Sequence, residues 1–75
     1  MILKACTKGY ASVSMSLSID WDTKSIWVCV KKGYILGEGA SELFPASDFW
    51  RAVERFNEWA DEFELTKEDE VAYND

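Results

Sequence analysis

Histidine is absent from this 75-residue chain, and with it the side chain that most often serves as a general base or metal ligand near neutral pH. The sequence also lacks a glycine-rich phosphate loop, a Gly-x-Ser-x-Gly elbow and a Cys/His pair, so the usual nucleophile and base combinations are missing and an enzyme is not expected. A pair of carboxylates can hydrolyse a sugar, but that chemistry needs a cleft for several rings, and so small a domain has room for a surface only. The two cysteines, Cys6 and Cys29, are too few for a disulfide framework, and two buried free thiols are the expectation. Glu68-Asp69-Glu70 and Asp61-Glu62 lack the spaced oxygens and central glycine of a calcium loop, so neither metal nor cofactor is expected. No apolar run approaches the ~18 residues that span a bilayer, and the N-terminus has no leader pattern. These absences predict a soluble, cytoplasmic chain with no membrane partner.

Positive charge is scarce in the second half. Residues 41–75 hold eleven acids against Arg51, Arg55 and Lys67, a net −8, whereas residues 1–40 hold five lysines against three acids, a net +2, and together they make the −6 of the whole chain. Such a field repels nucleic acid directly and attracts the proteins that bind it. Yet 48% hydrophobic residues and four tryptophans are far more than a disordered acidic tail carries, so the chain should fold, as one domain over residues 1–75.

From Tyr10 to Trp21 the sequence alternates, with Val13, Met15, Leu17, Ile19 and Trp21 on one face and Ser12, Ser14, Ser16, Ser18 and Asp20 on the other. That is the period of a strand packed on one side and wet on the other. Asp22-Thr23-Lys24 has turn chemistry, and Ser25–Lys31 resumes as a strand with Ile26, Val28 and Val30 facing inward. Lys-Gly-Tyr occurs at 8–10 and again at 32–34, which predicts two glycine turns and short outer strands at Ile2–Thr7 and Tyr34–Glu38. Gly37, Gly39 and Pro45 then mark the exit from the sheet, with Ser47 as helix N-cap and Asp48 in the first turn.

At 100° per residue, Phe49, Val53, Phe56, Ala60 and Phe63 fall within roughly 40° of one line, widened on one side by Ala52 and Trp59. The fold expected is α+β: a three- or four-stranded antiparallel meander over 1–40, packed by one amphipathic helix over 46–65, with an acidic tail over 66–75 tethered by Val71 and Tyr73.

Opposite the apolar stripe the same wheel places Glu54, Glu58, Asp61 and Glu62. Between Glu58 and Glu64 four acids occupy a rise of about 9 Å, or roughly one charge per 2 Å, close to the ~1.7 Å per charge of duplex DNA. Trp50 projects off the stripe beside Glu54 and Asp61, where it either packs under residues 41–46 or the tail, or anchors a partner. On the outer sheet face Trp27 and Cys29 pose the same question, while the serines form an ordinary solvated surface.

A compact, acidic, histidine-free chain with a strand-strand-strand-helix outline resembles the phage-encoded inhibitors of bacterial nucleic-acid-binding defences, the anti-CRISPR and anti-restriction DNA-mimic proteins. The resemblance implies a stoichiometric inhibitor in the cytoplasm of a bacterial host, its partner a nucleic-acid-binding protein complex such as a CRISPR effector. By that resemblance Glu54, Glu58, Asp61, Glu62, Glu64, Glu68, Asp69 and Glu70 are phosphate surrogates occupying the partner's DNA groove, with Trp50 as their desolvated anchor. It implies no direct contact with nucleic acid, and a monomer or weak homodimer. Lys4, Lys8, Lys24, Lys31 and Lys32 restrict the mimicry to one side. The alternative is an antitoxin-like or adaptor module, faintly indicated by Gly37-x-Gly39-x-Ser41 ahead of the helix, which binds a protein without imitating nucleic acid.

Overall fold

A computed structural model describes residues 2–34, 37 and 39–65, together with the backbone of residues 70 and 71. Four antiparallel strands, β1 (Ile2–Lys8), β2 (Ala11–Asp20), β3 (Ser25–Tyr34) and β4 (Ala40–Pro45), lead through a 3₁₀ turn at Ala46–Asp48 into one helix, α1 (Phe49–Glu62). Two residues of the acidic segment, Glu70–Val71, add a short β5 beside β1, so the sheet order is β4-β3-β2-β1-β5. The architecture is the α+β meander with a C-terminal helix that the patterning predicts. Expectations for Thr66, Lys67, Glu68, Asp69 and Tyr73 lie outside the described residues.

Turn chemistry sets the hairpins. Lys8 pairs with Ala11 across a two-residue loop in which Gly9 alone has positive φ (60°), the arrangement of a type II′ turn. At the β2–β3 turn the Asp20 carboxylate accepts the backbone N–H groups of Asp22 and Thr23 at 3.0 and 3.4 Å, and Lys24 takes a left-handed φ of 57°. The second Lys-Gly-Tyr triplet behaves differently from the first: Gly33 is no turn but part of β3, opposite Ser12, because β2 is long enough to keep pairing through Tyr34. The expected outer strand at Tyr34–Glu38 is likewise replaced by β4 at Ala40–Pro45, with residues 35, 36 and 38 outside the description. Gly39 opens that strand because a Cβ there would stand 2.5 Å from the Lys32 carbonyl oxygen.

The core lies between the sheet and α1. Cys6, Val13, Met15, Val28, Val30 and Phe44 meet Ala52, Phe56, Trp59 and Leu65. The buried line of the helix is therefore Ala52–Phe56–Trp59, turned by roughly 50° from the line through Phe49. Phe49, expected in the core, is 41% exposed, while Val53, Ala60 and Phe63 pack at its margin. The turn follows from Trp59: this large ring lies against the sheet, with Lys32 Nζ 4.8 Å from its centroid and Arg55 on its other flank at 5.8 Å. Ser47 does not cap α1. Asp48 holds the N-cap position without a side-chain hydrogen bond, after the 3₁₀ turn that Pro45 introduces.

No disulfide joins the two cysteines, and the register puts them on opposite sheet faces. Cys6 is buried opposite Val13 on the helix side, and Cys29 lies opposite Ser16 on the outer side, where the alternation puts it, but half-buried rather than buried as expected. No helix among the described residues is long and apolar enough to cross a membrane.

Candidate functional site: the acidic face of the helix

Helix α1 carries Glu54, Glu58, Asp61 and Glu62 along its length, all exposed, with Glu64 in the turn that follows. That turn is built by backbone hydrogen bonds: Leu65 N–H donates to Ala60 O at 2.8 Å and Glu64 N–H to Asp61 O at 3.0 Å. This is a Schellman cap with Glu64 at the left-handed position, φ 59°. Leu65 is buried beneath it, so the cap fixes Glu64 at the end of the acidic row.

The four helix carboxylates divide into two pairs. Glu62 accepts two hydrogen bonds from Lys32 Nζ, at 2.9 and 2.8 Å, and Glu58 accepts one from Arg55 Nη1 at 3.0 Å. Arg55 Nε also lies 2.8 Å from Glu42 Oε2 on β4, an ion pair without an aligned hydrogen bond. Glu58 and Glu62 thus lie on the flank of α1 that faces β3 and β4, a consequence of the same turn of the helix that buries Trp59. Glu54 and Asp61 make no ion pair within 4 Å among the described residues, and neither does Glu64. Two turns apart, Glu54 and Asp61 stand on the same side of the helix about 10.5 Å from each other along its axis.

This pairing alters the line charge. Of the four acids between Glu58 and Glu64, two are neutralised within the chain, so the unpaired density falls to roughly one charge per 4–5 Å over the same rise. The sequence pattern could not show this, because Lys32 is thirty residues from Glu62 and meets it only across the sheet. The usable signal was the inward register of Lys32 itself, two residues after Val30 on the helix-facing side of β3.

Trp50 is 56% exposed and does not pack under residues 41–46; the Arg51 guanidinium lies 5.6 Å from its ring centroid. Beside it, between α1 and β4, runs a groove of about 190 Å³ lined by Glu42, Phe44, Arg51, Glu54, Arg55 and Glu58. Glu70 takes part in β5 through its backbone opposite Cys6, whereas Glu68 and Asp69 lie outside the described residues. The structure therefore brings together Glu54, Asp61, Glu64 and Trp50 as the open face, and turns Glu58 and Glu62 into its flank. On the far side of the sheet Trp27 is half-buried and Leu43 is exposed, beside the serines of β2.

Comparison with known protein families, curated proteins and solved structures finds no match for this chain.

Proposed function

We propose that this chain is a non-enzymatic binding protein that uses the open acidic face of α1 to occupy the phosphate-binding groove of a bacterial nucleic-acid-binding protein, in competition with nucleic acid. A CRISPR effector is the partner that the resemblance favours. One observation carries the reading: Glu54, Asp61 and Glu64 project from a rigid helix and its cap with no ion pair among the described residues, while Lys32 and Arg55 are committed to Glu62, Glu58 and Glu42. Carboxylates held in this way need no side-chain rearrangement to meet lysines and arginines that otherwise hold phosphates. Trp50, at the rim, supplies an apolar anchor of the kind that slows dissociation.

The alternative, an adaptor interface centred on apolar groups, draws support from the exposed Trp50 ring and from the internal pairing of Glu58 and Glu62. The two readings differ in salt dependence and in competition. Once a partner is captured from bacterial lysate after nuclease treatment, duplex DNA is titrated against the complex. Under the proposal DNA displaces the protein and affinity drops as salt rises. Glu54→Gln with Asp61→Gln should weaken binding about tenfold or more, whereas Glu58→Gln with Glu62→Gln should weaken it less, and Trp50→Ala should act on the dissociation rate. Simultaneous binding of DNA and this protein with unchanged affinities would overturn the proposal in favour of the adaptor.

A further inference from the structure

Strands β2 and β3 are ten residues each and reach roughly 33 Å, but the fourteen residues of α1 cover only about 21 Å. The helix runs from the Trp27 end of the sheet, where Pro45 ends β4, towards Lys32, which grips Glu62. The excess length therefore projects beyond the start of the helix as the β2–β3 hairpin tip. There no described residue of the helix layer covers the inward face of the sheet. Ile19 pairs with Ile26 on that face, and they are 54% and 52% exposed; Trp21 beyond them is 82% exposed, and Phe49 stands at the step where the helix begins. These four side chains offer on the order of 500 Å² of apolar surface, near the top of the range for the largest patch on a monomer.

We infer that this ledge is a homodimer interface, in which the hairpin tip of a second copy lies face to face on the first. Two features select a second copy. Stacked sheets sit about 10 Å apart, the thickness of a helix layer, so the second hairpin fills the level that α1 vacates and butts its Trp21 towards the first copy's Phe49. The two patches together remove on the order of 1,000 Å² from solvent, the floor for a specific interface. The ledge points away from the Glu62 end of α1, which leaves the acidic faces open at the two ends of the dimer. This inference does not depend on the proposed function.

Sedimentation equilibrium on the full chain tests it. The mass should rise with concentration from 8.6 kDa to twice that value. Raising salt from about 0.05 to about 0.5 M should tighten the dimer severalfold, because screening relieves the repulsion between two chains of net charge −6 while apolar contact persists. Partner binding through the acidic face would respond in the opposite sense, so the two readings fail separately. Trp21→Ser with Ile26→Thr should weaken the dimer about tenfold or more with an unchanged circular dichroism spectrum. Trp21→Lys alone, at a side chain 82% exposed and outside the core, should also weaken it; this variant decides the matter if the double variant does not fold. A mass of 8.6 kDa at all concentrations up to the millimolar range overturns the inference, as does a dimer indifferent to these substitutions, which would lie on another surface such as the β4 edge.

Discussion

Phe56 is the largest of the fully buried side chains, and Lys4 of β1 holds its ammonium 5.0 Å from the ring centroid, so the residue joins the helix to the far side of the sheet as well as to its centre. Phe56→Ala should cost about 3–5 kcal/mol, enough to threaten cooperative folding in a domain of this size, and urea denaturation reads it directly. A near-unchanged midpoint would contradict the packing. Glu64 presents the opposite case. Its left-handed φ costs a residue with a Cβ about 1–2 kcal/mol, of which the added chain entropy of glycine returns part, so Glu64→Gly should stabilise the fold by roughly 0.5–1 kcal/mol. Because the same change deletes a carboxylate with no ion pair among the described residues, it should raise the melting temperature while lowering partner affinity, a divergence that a loss of folding cannot imitate.

The elements differ in how much freedom their connections allow. The β1–β2 turn is set by one glycine with positive φ, and open space surrounds it, whereas the entry to β4 is set by closeness: the Gly39 backbone passes so near the Lys32 carbonyl that any Cβ meets main-chain atoms at 2.5 Å. Main chain in a paired strand cannot move aside as a flexible side chain can. Gly39→Ala should therefore destabilise the protein by about 1–3 kcal/mol through displacement of β4, with hydrogen exchange quickening at Ala40–Pro45 before it does in β2. Exchange that stays uniform across the sheet would show that the strand absorbs the methyl group. The ion pairs that tie α1 to the strands, Lys32 with Glu62 and Arg55 with Glu42, are exposed enough to contribute only about 0–1 kcal/mol each. Their larger effect is on which charges remain for a partner.

At the scale of the molecule, the single layer of helix on sheet is held without a covalent link. Cys6 and Cys29 face opposite sides of the sheet, so a reductant should leave the melting temperature unchanged; a fall of many degrees would require a cross-link that the register forbids. The long dimension is 37 Å against 23 Å for the other two, in keeping with ten-residue strands of roughly 33 Å, and the acidic helix face and the hairpin tip are separate surfaces. One surface is suited to screened charge and the other to apolar contact, and salt acts on them in opposite directions.

The alternation of β2 and β3, the 3.6-residue period of α1 and the Gly9 and Asp22-Thr23-Lys24 turn chemistry were all legible in the sequence, because each is a local property that decides which way neighbouring side chains point. So was the division of charge, which is a matter of counting. Local rules also misled where two stretches looked alike: the second Lys-Gly-Tyr triplet has the same residues as the first but a strand on each side, at Ser12–Gly33 and at Lys32–Ala40, and pairing prevailed over turn propensity. Only the tertiary structure decided how far the helix reaches along the sheet, hence why Val13 and Val28 are buried while Ile19 and Ile26, in the same alternation, are not. It alone also decided which carboxylates stay unpaired, since Lys32 meets Glu62 through the lateral distance between a strand and a helix, a quantity that no spacing along the chain contains.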